Sequence, residues 1–267
     1  MIGLAGLGME LELWASRGRK PRLWWRDDDA VGAEPALLRL LDLAHTARVP
    51  LALAVIPALA DATLRPMLAA QGDVSVLQHG FDHINDGPAE RPTQFAPHRP
   101  VDEVVARVKD GADRLADLPG WTPVYVPPWN RLEDNVLQAL PLAGLRGLSA
   151  FGQSRSRSAA LVRCDAHVDI LRWRGRARFG GALRATDRLR RALESRRKAQ
   201  LWEDPVGILT HHRVHDAAAW NFLGRLVGWR VLNERVRWCS AQELFAAVPG
   251  LDDGPRGASV PDGPTRR

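Results

Sequence analysis

Val76-Leu77-Gln78-His79-Gly80-Phe81-Asp82-His83-Ile84-Asn85 is a short apolar run that ends in two histidines four residues apart. The same grammar recurs along the chain. Arg22–Trp25 runs into the acidic triplet Asp27-Asp28-Asp29, Val124–Val126 into Pro127-Pro128-Trp129-Asn130-Arg131, and Gly207–Thr210 into His211-His212. Brief apolar runs bounded by turn-forming residues read as buried strands. Leu51–Ile56, Gly147–Phe151, His167–Leu171 and Val236–Trp238 complete the set. Helical patterns lie between them. Pro35–Ala47 opens with a proline suited to a first turn and carries Leu37, Leu38, Leu41 and Ala44 as one face; Val101–Leu115 repeats the pattern with Val101, Val104, Val105, Val108, Ala112 and Leu115. Ser240 and Glu243 form a capping box ahead of Leu244-Phe245. Strand–helix alternation predicts a parallel sheet wrapped by helices, and seven or eight such units favour a distorted (β/α)7-8 barrel over an open doubly wound sheet.

Domain organisation follows: a helical extension over 1–19, the barrel over 20–249, and a disordered tail over 250–267 rich in Asp, Gly, Pro and Arg. Gly87–Pro100 reads as a long loop above the barrel mouth and Gln153–Ser158 as a polar loop. The 267 residues are 45% hydrophobic and 25% charged, ordinary for a globular protein. Two cysteines, Cys164 and Cys239, imply no disulfide framework and are compatible with a reducing cytoplasm. Neither an export signal nor an apolar stretch long enough for a membrane is evident, so a cytoplasmic protein without a membrane partner is expected. The net charge of +6 is concentrated in Arg172–Arg178 and Arg184–Lys198. The latter predicts an amphipathic helix with Leu183, Leu189 and Leu193 inward and a solvated arginine face. No aromatic interleaving or known binding motif accompanies it, so nucleic acid is not the expected partner.

Two imidazoles and a carboxylate are what a catalytic zinc takes, with a position left for water. In a parallel barrel the strands' C-terminal ends share one face, so the triplet, the histidine pair, the proline turn and His211-His212 would meet there. Random polar residues would fall at both strand ends equally.

These residues resemble the polysaccharide deacetylase family of metal-dependent carbohydrate esterases over about residues 20–245. The paired aspartate of that family is matched within Arg26-Asp27-Asp28-Asp29-Ala30, its histidine pair by His79-Gly80-Phe81-Asp82-His83, and its late leucine–any–histidine by Leu209-Thr210-His211. Its arginine–proline–aromatic turn is matched in part by Val126-Pro127-Pro128-Trp129, and its aspartate–tryptophan pair loosely by Asp169 and Trp173. The resemblance implies a divalent metal, zinc first with cobalt, nickel or manganese as alternatives, on Asp29, His79 and His83. Asp28 would be the base, His211 the acid, and the Trp129 N–H an oxyanion donor. A register one residue earlier, with Asp27 as base and Asp28 as ligand, stays open. So does the choice between His211 and His212.

An N-acylated sugar or similar small amide is the implied substrate, bordered by Pro128, Trp129, Asn130, Arg131, Trp173, Phe179 and Leu209. Arg26, Asp27, Asn85, Asp169 and His212 are expected to support the site from behind, Asn85 by orienting a ligand histidine. Where the family carries an arginine that orients its aspartate, this chain has Val126, a charge that Arg26 or Arg131 could replace. If neither does, the chain reads as a weak or inactive barrel that binds carbohydrate; a basic nucleic-acid-associated protein is the other alternative. The remaining tryptophans, Trp24, Trp25, Trp202, Trp220, Trp229 and Trp238, read as packing residues, and the sequence leaves the oligomeric state open.

Overall fold

The computed structural model describes residues 4–152 and 158–246, so most of the Gln153–Ser158 loop and the tail over 250–267 lie outside the described residues. The elements are α1 (Leu4–Ala15), β1 (Arg22–Ala30), α2 (Pro35–Ala47), β2 (Leu51–Val55), α3 (Leu64–Ala69), β3 (Val74–His79), α4 (Val101–Leu115), β4 (Trp121–Val126), α5 (Asp134–Leu142), β5 (Gly147–Leu148), β6 (Val162–Arg163), β7 (Ala166–Asp169), β8 (Leu171–Arg172), β9 (Arg178–Phe179), α6 (Ala182–Lys198), β10 (Val206–Thr210), α7 (Ala217–Val227), α8 (Arg230–Arg235), β11 (Arg237–Trp238) and α9 (Ala241–Phe245). The main sheet runs β6-β5-β4-β3-β2-β1-β10-β7, with β11 beside the start of β1. All its pairs are parallel, and a parallel bridge from Phe151 to Ala166 joins the chain after β5 to β7 and closes the ring. The fold is the distorted barrel that the alternation predicts.

β1 explains how the layers form. Side chains alternate across a strand. Trp24 joins Ala52, Ala54, Leu77, Val124, Val126 and Cys164 in the barrel interior, where Phe245 of α9 meets its ring edge-on. Trp25 instead joins α2 and α7 in the outer core, and Leu23 joins α1, α6 and α7. Both faces of β1 are buried, which is why its sequence is a continuous run rather than an alternating one.

α2 and α4 occupy the predicted ranges, but the inward face of α2 is Leu37, Leu40, Leu41 and Ala44, and Leu38 is exposed. Leu38 lies off the i, i+3, i+4, i+7 stripe. Leu183 of α6 is likewise exposed, not inward; Ala185, Thr186, Leu189 and Leu193 form the buried face there. The outer charges of α6 are largely matched within the helix, Arg190 and Lys198 on Glu194 and Arg191 on Asp187. α1 packs Leu7 and Leu11 on this helix and pairs buried Glu10 with Arg197 at 2.7 Å. Among the described residues no helix is long and apolar enough to cross a membrane.

His215, just before the Asp216 cap of α7, is half-buried against the Trp220 ring at 4.7 Å, and burial pushes its pKa down to about 4. A base whose folded pKa lies below its unfolded one contributes stability above the unfolded value that is lost as pH falls through the gap. The gap from 6.5 to about 4 is worth on the order of 3 kcal/mol. The melting temperature should therefore drop as pH is lowered through this window, and His215→Phe should flatten part of the drop. An unchanged pH slope in that variant would contradict the assignment.

Candidate metal centre and active site

A regular strand sends adjacent side chains to opposite faces, so Asp28 and Asp29 could not both face the barrel mouth from an unbroken β1. The strand is broken at that point. Asp27 pairs with Leu53 and Ala30 with Val55, so two β1 residues oppose one on β2. This is a β-bulge, and Asp29 within it takes a left-handed backbone at φ 74. The bulge turns Asp29 toward the mouth beside Asp28.

His79 ends β3 and His83 lies four residues on, in a loop turned by left-handed Gly80 and left-handed His83 rather than in a helix. Gly80 is required: a Cβ there would lie 1.9 Å from Gln94 Oε1 and 2.5 Å from Pro128 Cγ. Gln94 accepts from the Phe81 N–H at 2.9 Å and donates to Asp82 at 2.7 Å, while Arg107 holds the other oxygen of Asp82. The Gly87–Pro100 segment thus packs under the histidine loop through a buried Gln94.

Asp29 Oδ1 lies 3.1 Å from His79 Nε2 and 3.6 Å from His83 Nε2. All three donor atoms fall within 4.8 Å of one another. Ligand atoms about 2.0–2.1 Å from a tetrahedral zinc are about 3.3 Å apart, so the spacing fits one ion. Asp29 Oδ1 is also buried without a well-formed hydrogen bond. His79 Nδ1 donates to the Val126 carbonyl at 3.0 Å, which leaves Nε2 facing Asp29. Burial opposes the charge on Asp29, but the imidazoles of His79, His211 and His83 outweigh it and hold the carboxyl well below its usual range. Burial and the neighbouring His79 lower the pKa of His83, favouring the neutral form that binds metal. His79 is almost fully buried, whereas Asp29 and His83 are about a quarter exposed, so the set opens to solvent on one side.

Asp28 is held separately. Arg26, two residues earlier on the same face and fully buried, places Nε 2.9 Å from Asp28 Oδ1 and donates from Nη2 to Oδ2 at 3.1 Å. Its remaining donors reach Ser149 Oγ, the Ser149 carbonyl and Asn130 Oδ1, the last at 2.7 Å. Arg26, and not Arg131, is the guanidinium that lies on Asp28. Across the mouth, His211 Nε2 lies 3.9 Å from Asp28 Oδ2, and its Nδ1 is buried without a partner among the described residues.

Asp27 points to the helix side, where it accepts from Thr210 Oγ1 at 2.6 Å, from the His212 N–H at 3.0 Å, and meets His212 Nδ1 at 2.5 Å. Burial opposes this pair, yet the mutual attraction lowers the Asp27 pKa and raises that of His212. Asp27 is therefore remote from the ligand set, and the earlier register does not match the geometry. His212 is bound up with Asp27, which leaves His211 at the mouth.

The rim is built from the proline turn and the β8–β9 hairpin. Trp129 and Asn130 are both left-handed, at φ 54 and 55, and the Trp129 ring packs on His83 at 4.4 Å. Four of the six described non-glycine residues with positive φ thus line this site, a clustering expected where backbone strain serves function. The Trp173 ring meets His211 edge-on at 4.6 Å, and its indole donates to Asp169 at 2.6 Å. Burial raises the pKa of Asp169. Pro128 is buried against Gly80, and Leu209 is fully buried on β10. Arg131 is half-buried beyond the turn.

Two expected residues are employed elsewhere. Asn85 does not touch a histidine; its side chain is spent on Gly87 and Thr93. Phe179 does not face the mouth; it packs on Phe222 at 5.1 Å as part of the outer core. Gln94 and Ser149 escape sequence reasoning, since a lone polar residue in a loop carries no pattern.

No family model and no curated protein matches the chain. The fold does match solved structures. A candidate polysaccharide deacetylase from Mycobacterium smegmatis superimposes with a TM-score of 0.59 at 16% identity, covering 92% of this chain and 96% of that one. The Bc1960 peptidoglycan N-acetylglucosamine deacetylase gives 0.52 at 11% identity over 86% and 90%. A family 4 carbohydrate esterase from Streptomyces lividans gives 0.50 at 14% over 82% and 91%. The chain has the polysaccharide deacetylase fold.

Removing one partner of a buried ion pair strands the other's charge, at a cost of about 3–5 kcal/mol. Arg26→Met should lose that much in urea unfolding, and the loss should shrink markedly in an Asp28→Asn background. Equal losses in both backgrounds would rule out the pairing.

Proposed function

We propose that this chain is a metal-dependent hydrolase of the polysaccharide deacetylase type, which removes an N-acyl group from an N-acylated sugar or related small amide. The observation that carries this reading is the Asp29–His79–His83 donor set beside a second carboxylate, Asp28, that is oriented by Arg26 and not needed as a ligand. One carboxylate and two imidazoles suit zinc, with cobalt, nickel or manganese also accommodated. When bound, such an ion supplies a Lewis acid that polarises the amide carbonyl and acidifies water.

The chain's own residues divide the remaining work. Asp28 takes the proton of the attacking water, its carboxylate aimed by the two contacts from Arg26. His211, facing Asp28 across the mouth, gives a proton to the leaving amine. The Trp129 N–H is the first amide after Pro127 and Pro128, neither of which can donate, and it serves the developing oxyanion. Trp173, half exposed, and Trp129 offer flat apolar faces to a sugar ring. Asp27 and His212 hold the segment that carries His211. The alternative of an inactive barrel rests on Val126, and the guanidinium of Arg26 on Asp28 supports the active reading instead.

Purified protein supplied with zinc or cobalt should release acetate from N-acetylated sugars. Asp28→Asn and His79→Ala should each lower the rate at least about a thousand-fold, and His211→Ala about a hundred- to ten-thousand-fold. Acetate release that is indifferent to these substitutions, or to chelator, would overturn the proposal.

A further inference from the structure

The β8–β9 hairpin, Leu171-Arg172-Trp173-Arg174-Gly175-Arg176-Ala177-Arg178-Phe179, carries four arginines in nine residues. Between Ile170 and Thr186 the sequence contains five arginines and no acidic residue. This charge differs in kind from that of α6, whose arginines sit among carboxylates of their own helix. Among the described residues, none of Arg172, Arg174, Arg176 and Arg178 has a carboxylate within 4.0 Å.

The pairing makes the imbalance sharper. Arg172 stands directly opposite Arg178 in the antiparallel register, and like charges so placed destabilise a hairpin. A third guanidinium joins them. Arg184 donates from Nη1 to the Leu171 carbonyl at 3.1 Å, and Arg184 and Arg172 both crowd Gly180, where a Cβ would lie 2.2 Å from Arg184 Nη1 and 3.1 Å from Arg172 Cγ. Burial, Arg188 and Arg172 depress the pKa of Arg184 against the pull of Asp169. A short two-stranded ribbon that concentrates repulsive charge gains from an anion lying across it.

The ribbon's position ties that anion to the substrate. Trp173, between Arg172 and Arg174, is latched to Asp169 and rests on His211 at the mouth of the site. We propose that the substrate is an anionic N-acylated sugar, whose phosphate or carboxylate group is recognised by Arg172, Arg178 and Arg184 while its acylamino group lies at Asp28 and Asp29. The inference rests on the deacylase reading of the site and adds the substrate's charge. A guanidinium fork can pair two N–H donors with two oxygens of either group, and a cationic rim draws an anion toward the opening.

The test compares kcat/KM for N-acetylglucosamine 6-phosphate, N-acetylmuramic acid and neutral N-acetylglucosamine in the wild-type protein and in the Arg172→Gln/Arg178→Gln double variant. At low salt the wild type should prefer at least one anionic sugar by about tenfold or more, and which one identifies the group. The preference should fall to about threefold or less in the double variant and in 0.5 M salt. Active enzyme with no preference, or a preference unchanged in the variant, overturns the proposal. If no sugar is deacylated the functional reading fails on its own, and calorimetry with inorganic pyrophosphate then decides this one: binding that the double substitution abolishes supports it, and absent binding refutes it. Preferential, length-dependent binding of oligonucleotides over pyrophosphate would also refute it, by giving the charge a different owner.

Discussion

Three consecutive carboxylates at the end of a buried strand are a severe electrostatic problem, and the site is organised around its solution. Each of Asp27, Asp28 and Asp29 is turned to a different partner. Asp27 goes outward to His212, Asp28 inward to Arg26, and Asp29, through the bulge, to His79 and His83. A buried charge must be paired, and an unpaired neighbour would cost several kcal/mol. The bulge is what makes the third pairing geometrically possible, because without it Asp29 would share the face of Asp27.

Arg26 links the strand to the rest of the mouth. Its guanidinium touches Asp28, Ser149 and Asn130, which come from β1, the segment after β5, and the proline turn. A planar cation with five donors suits such a junction, since it can satisfy several acceptors at fixed angles. Placing it two residues before Asp28 puts it on the same face by strand periodicity alone, so no contribution from position 126 is needed and Val126 is free to pack in the barrel interior.

Much of this was legible in the chain. Strand–helix alternation, Pro35 at a helix start and the polar clusters after each apolar run pointed to the barrel and to the face carrying the site. His79 and His83 were readable as a donor pair from their spacing, whereas the triplet left open which aspartate stands beside them; in the structure it is Asp29 that lies within reach of both. The bulge was not, since two-fold alternation predicts opposite faces for Asp28 and Asp29 and only backbone pairing reveals the extra residue. The interrupted strands after Gly147 were blurred for the same reason: segments of two residues have no period. Asn85 and Phe179 lie away from the site because nearness in sequence to a motif does not specify direction. The loop turns Asn85 back on itself, and the hairpin turns Phe179 toward Phe222. Gln94 and Ser149 act through hydrogen bonds to other segments, which no local pattern encodes.

Asp29, His79 and His83 are placed to share one cation. Chelator-treated protein titrated with zinc, followed by calorimetry and elemental analysis, puts this to the test. One ion per chain should bind with proton release, and that stoichiometric site should be lost in both Asp29→Ala and His83→Ala. A wild-type protein that takes up no stoichiometric ion, or variants that bind it unchanged, would contradict it.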